Sequence, residues 1–111
     1  MKASDFCDTA AGLISGDRNA THGEAGENHA NIAALWNAYL QRRFGTLARV
    51  NLTARDAMLM MSLFKIARTM TGRHNPDDYV DGIGYLALAG ADAEKVAALA
   101  THIQKVETEN E

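Results

Sequence analysis

From Met58 to Arg68 the chain reads Met-Leu-Met-Met-Ser-Leu-Phe-Lys-Ile-Ala-Arg, apolar at nearly every position and without glycine or proline. A helix that is apolar on all sides belongs at the centre of a packed domain, because no face of it is suited to water. The rest of the chain must therefore supply elements that surround it. No run alternates apolar and polar residues as a half-buried strand does. Proline occurs only at Pro76. The spacing throughout is that of helices, and the expected architecture is an all-α bundle of about five.

Local signals set the expected boundaries. The first helix is expected from Ser4, as cap, to about Ser15, with Phe6, Ala10, Leu13 and Ile14 on one side. The second starts between Glu24 and Asn28 and runs to about Arg43, carrying Ile32, Leu35, Trp36, Tyr39 and Leu40 as a stripe. Gly45 marks its end. Thr53 and Asp56 form a variant of the capping box and open the third, whose Met58–Phe64 segment is expected to be buried with Trp36. Asn75, Pro76, Asp77 and Asp78 open the fourth by cap, fixed φ and favourable dipole. Gly90 is expected to end it. A fifth helix then starts at Asp92 and buries Val96, Leu99, Ala100, Ile103 and Val106. Residues 1–106 are read as one domain and 107–111 as a frayed acidic tail.

Composition narrows the function classes. Apolar residues make up 47% and charged residues 23%, which excludes a disordered, collagen-like or fibrous chain. A net charge of −3 argues against general nucleic-acid binding, which needs a basic surface. Cys7 is the lone cysteine, so an intrachain disulfide and a cysteine-rich metal site are both excluded. It is expected to be a small core residue. No apolar run approaches a membrane span and the first residues do not resemble a signal peptide, so a cytoplasmic location is expected. At 111 residues the core is small, and an all-round apolar helix is hard to cover with short neighbours. A homo-oligomer is the expected consequence.

Four groups of residues could carry chemistry. Lys65 and Arg68 share a helix face and need acids, an anionic ligand or the solvent rim opposite them. Asp78, Asp81 and Tyr85 share a face of the next helix. There Gly82 and Gly84 permit close approach of a ligand or simply of another helix. Glu24 and Glu27 stand at a helix start, either as dipole partners or as oxygen ligands for Mg²⁺. The polar step from Gly16 to Gly23 holds Arg18 and His22, and Asn28 follows it. His22 and His29 are read as polar site or surface groups, because no close histidine or cysteine pairing supports a soft-metal site. Neither a nucleophile elbow nor a Walker loop is present. One expected arrangement sets Arg18, Lys65, Arg68, Asp78, Asp81 and Tyr85 around one pocket.

The combination Gly16-Asp17-Arg18-Asn19, His22-Gly23, Asn28, Ala34-Leu35-Trp36, Lys65-Ile66-Ala67-Arg68, Asp77, Asp81 and Gly84-Tyr85 resembles small uncharacterised proteins of bacteriophages and prophages. It covers about residues 9 to 90. More distantly, Asp78-Tyr79-Val80-Asp81 before an apolar helix is similar to the Glu-x-x-Asp motif of all-α nucleoside triphosphate pyrophosphohydrolases, the MazG-like proteins and dimeric dUTPases. That second resemblance implies a MazG-like arrangement and a Mg²⁺ site made by Glu24, Glu27, Asp78 and Asp81. It also implies phosphate contacts from Arg18, Lys65 and Arg68, release of pyrophosphate from a nucleotide, and assembly as a dimer or tetramer. The chain departs from that group where Lys65-x-x-Arg68 stands in place of a carboxylate pair. A site inverted in charge would bind an anion directly. The expectation is therefore a phage nucleotide-handling protein, either a Mg²⁺-dependent pyrophosphohydrolase or a non-catalytic helical module that binds a nucleotide-like anion or a host protein.

Overall fold

Four helices and their connections make up residues 1–15, 24–45 and 49–110, the part described by the computed structural model. They are α1 (Ala3–Ser15), α2 (Ala25–Phe44), α3 (Ala54–Arg68) and α4 (Pro76–Glu109). No strand occurs among the described residues. No helix there is long and apolar enough to cross a membrane.

Local chemistry sets most of the helix ends. The Thr53 hydroxyl accepts from the Asp56 backbone N–H at 3.2 Å, and the Asp56 carboxylate accepts from the Thr53 N–H at 2.8 Å. These bonds hold the Asp56 carboxyl below the usual carboxylate range. Asn75 caps α4 by accepting from the Asp77 N–H at 3.1 Å, with Pro76 in the first turn. Gly45 closes α2 at φ +77°, a conformation that favours glycine, and donates its N–H to the Gln41 carbonyl. Asn37 ties α2 to the approach of α3. Its amide accepts from the Leu52 N–H at 2.8 Å and donates to the Leu52 carbonyl at 3.0 Å.

α4 is the scaffold on which the other helices are arranged. α3 packs along it in the opposite direction: Arg68 meets Asp78, Ser62 meets Gly82 and Arg55 meets Asp92. α1 runs parallel to it, with Phe6 edge-on to Tyr79 at 5.9 Å and Ile14 beside Gly84. α2 lies chiefly against α3. The buried apolar residues are mostly small: Ala10, Ala33, Ala57, Met58, Val80 and Ala89. Helices with alanine at their contacts approach closely, but each contact hides little surface.

Four expectations are corrected. The fourth and fifth helices are one 34-residue helix that continues through Gly90. Gly90 has no positive φ and nothing near it that would force the chain to turn. The Met58–Phe64 segment buries one side only: Met58 and Ser62 are covered, whereas Leu63 is 62% and Phe64 52% exposed. Trp36 is half-buried. Cys7 is exposed, not in the core. The stripe Val96, Leu99, Ile103 and Val106 is likewise exposed, because α3 ends its contact with α4 near Asp92.

Glycine inside a helix costs about 0.5–1 kcal/mol relative to alanine, and a methyl group at residue 90 would meet no atom within 4 Å. Gly90→Ala is expected to stabilise the chain by about that amount in urea denaturation. Destabilisation would show that α4 bends or breaks there.

Candidate functional site

The seam between α3 and α4 gathers the charged residues singled out in the sequence. The Lys65 ammonium lies 3.0 Å from Asp81, with the two side chains only 16% and 22% exposed. Arg68 Nε lies 3.2 Å from Asp78 Oδ1, with Asp78 buried and the guanidinium half in solvent. That oxygen has no hydrogen bond meeting directional criteria, so the contact is a charge pair with poor alignment. Beyond the Lys65–Asp81 pair, on the side away from Arg68, the Ser62 hydroxyl donates to the Gly82 carbonyl at 3.0 Å. A Cβ at Gly82 would stand 3.7 Å from Lys65 Cβ, an ordinary van der Waals distance, so the helix spacing at this point would accept alanine as well as glycine.

Beside this seam lies a cleft of about 250 Å³, walled by α1, α2, α3 and α4. Leu13, Ile14, Ile32, Met61, Val80 and Leu88 give it apolar sides. Its polar groups are Asn28, His29, Asp81 and Tyr85. His29 is 4% exposed. Its Nδ1 lies 2.7 Å from the Ala25 carbonyl oxygen, which can only accept, so Nδ1 carries a proton and donates. In the neutral ring Nε2 is then an acceptor, and it is buried without a hydrogen-bond partner among the described residues. The Tyr85 ring meets the imidazole edge-on at 5.6 Å and fixes its plane. A buried acceptor left unpaired costs about 1–3 kcal/mol, which a ligand bringing an N–H or O–H would recover.

The expected site residues divide into four groups. Asn28, Asp81 and Tyr85 line the cleft. Lys65, Arg68 and Asp78 lie on the seam, where the cations are matched by the acids. Glu24 and Glu27 are exposed at the start of α2. Arg18 and His22 lie outside the described residues. His29, read from sequence only as a polar group, is the central polar group of the cleft. Its position three and seven residues before Ile32 and Trp36 was the available signal, since those two are half-buried, although Leu35 and Tyr39 of the same stripe are exposed.

Mg²⁺ prefers oxygen ligands with uncompensated charge. Asp78 and Asp81 each stand against a cation. No three histidine, cysteine, aspartate or glutamate side chains gather as a metal site among the described residues. Glu24, Glu27, Asp78 and Asp81 do not fit such a site in this arrangement.

Residues 5–93 match the family described as a domain of unknown function (DUF6378), and the chain belongs to that family. It is 42% identical over 77 residues to the Gene 55 protein of Mycobacterium phage L5, covering 69% of this chain and 45% of that protein. It is 33% identical over 83 residues to the Gene 55 protein of Mycobacterium phage D29, covering 75% and 50%. The chain thus spans about half the length of these relatives. No solved structure matches it.

Breaking the mostly buried Lys65–Asp81 pair from one side leaves a carboxylate without its counter-charge. Lys65→Met is expected to cost about 2 kcal/mol in chemical denaturation, and Lys65→Met with Asp81→Leu to recover most of it. A loss below about 0.5 kcal/mol for the single variant would class the pair with exposed, weakly coupled ones.

Proposed function

We propose that this member of the DUF6378 family is a phage-type nucleotide-handling module that holds a nucleobase-bearing ligand by its base in the cleft between the helices. The observation that carries the reading is the buried Nε2 of His29, which has no hydrogen-bond partner among the described residues. A base offers what that atom lacks, a ring or exocyclic N–H at the edge of a flat ring. Asn28 adds an amide that can both donate and accept against the same edge. The apolar sides of the cleft suit the faces of the ring, and polar groups that are few and convergent are typical of small-molecule sites. At about 250 Å³ the cleft suits a base and part of a sugar, leaving phosphates outside.

Binding without hydrolysis is favoured because Lys65 and Arg68 neutralise the two aspartates that would otherwise hold a metal. The mycobacteriophage relatives support a phage setting for the ligand, within an infected host. Hydrolysis of a nucleoside triphosphate with Mg²⁺ is the competing reading. It requires Asp78 and Asp81 to exchange their cations for the metal.

Calorimetry with a panel of nucleosides and nucleotides, with and without Mg²⁺, tests the choice. The expected result is binding of at least one base-bearing ligand without pyrophosphate release. His29→Phe and the exposed Asn28→Ala are each expected to weaken it at least tenfold, about 1.4 kcal/mol. Because Asn28 is exposed, its variant should keep the fold and remain informative if His29→Phe does not. No binding of any member of the panel overturns the reading. Pyrophosphate release that requires Mg²⁺ and is lost in Asp81→Ala decides for the enzyme.

A further inference from the structure

The face of α4 that meets α3 continues beyond the end of α3. Gly82 accepts from Ser62, Ala89 is buried, and Asp92 pairs with Arg55 at 3.1 Å. Continued at alternating steps of four and three, the same face carries Val96, Leu99, Ile103 and Val106. These residues are the a and d positions of two heptads, the pattern by which one helix packs along another. α3 begins at Ala54 and cannot reach them. They are 52%, 57%, 48% and 40% exposed. The segment lies past residues 5–93, so it is an extension of the family domain in this chain.

We infer that this stripe is a self-association surface, on which the same segment of a second copy packs in the antiparallel sense. The accessible surface supports a second copy. It is 8404 Å², against about 6,000 Å² for a compact chain of this mass. The radius of gyration is 17.3 Å, against about 13 Å for a compact domain. The excess is that of the whole chain, and the bare half of α4 is the part of it that a second copy packed along the stripe would cover. Charge sets the direction. At the positions that flank the stripe, Glu107 and Glu109 lie at one end and Lys95 at the other, whereas Glu94 and Lys105 fall on outward heptad positions. Parallel pairing would place the acids of both copies together. Antiparallel pairing sets Val96 against the partner's Val106, Leu99 against the partner's Ile103, and Lys95 beside the partner's Glu109. The helix dipoles also oppose one another in that order. The partner helix then ends near Asp92, where α3 begins, so one continuous seam is filled first by α3 and then by the second copy.

Sedimentation equilibrium at micromolar concentration tests the assignment. The wild type is expected at twice the chain's 12.0 kDa. Leu99→Glu and Ile103→Glu are each expected to weaken the dimer at least tenfold while helical content by circular dichroism is unchanged, since both side chains are exposed. In a Cys7→Ser background, mild oxidation of mixed Val96→Cys and Val106→Cys chains should cross-link the two types to each other. Neither type should cross-link to itself. A monomeric wild type overturns the inference and leaves the stripe to a different occupant. A dimer unmoved by Leu99→Glu and Ile103→Glu overturns the surface. Cross-linking of Val96→Cys chains to themselves overturns the antiparallel order.

Discussion

The antiparallel seam between α3 and α4 is the constraint on which the rest of the structure depends. Three ion pairs, Arg68–Asp78, Lys65–Asp81 and Arg55–Asp92, are distributed along it, with the Ser62–Gly82 hydrogen bond between them. A slip of α3 by one turn would break Arg55–Asp92 and re-form only one of the other two contacts, Lys65 with Asp78 or Arg68 with Asp81, leaving the second aspartate of the seam without its counter-charge. Such pairs contribute little net stability compared with apolar replacements, but they penalise incorrect alignments heavily. This matters in a chain whose buried apolar residues are mostly alanines and whose packing alone would specify alignment weakly. Once the register is set, Asp81 and Tyr85 stand at the edge of the cleft and Met61 forms part of its wall.

What could be read from the sequence was governed by short-range chemistry. The Thr53–Asp56 box, the Asn75–Pro76 start and the Gly45 end appear as expected, because each is settled within four residues. The pairing of Lys65 and Arg68 with acids of the following helix was among the alternatives open at that stage. Gly90 was misleading for a physical reason. Glycine ends a helix when it takes a positive φ or is followed by a breaker, and the neighbours of Gly90 are good helix formers. The all-round apolarity of α3 could not distinguish a face buried within the chain from one left open. The exposures of Leu63 and Phe64 are facts of tertiary arrangement. Only the apolar stripe of α2 pointed to His29, since a histidine beside Ile32 and Trp36 turns inward with them.

The seam and the cleft divide the polar residues between structure and recognition. On the seam, charge is matched to charge, so Lys65 and Arg68 are committed to alignment. In the cleft, His29 is held from one side by the Ala25 carbonyl and from another by the Tyr85 ring, and its remaining nitrogen has no hydrogen-bond partner among the described residues. A group fixed in place at the cost of an unmade hydrogen bond is preorganised for a ligand that completes it. The exposed half of α4 is independent of this site, since it shares none of its lining residues.

The most direct measurement is the ¹⁵N spectrum of the His29 imidazole, recorded through its long-range couplings with and without a nucleotide. The expected spectrum of the free protein has Nδ1 protonated and Nε2 as a bare acceptor. On saturation with a bound nucleotide the Nε2 resonance should move in the direction that accepting a hydrogen bond requires, with Nδ1 nearly unchanged. A proton resident on Nε2 in the free protein, or an Nε2 resonance that stays in place while the nucleotide binds, would contradict the assignment of His29 as the group that reads the base.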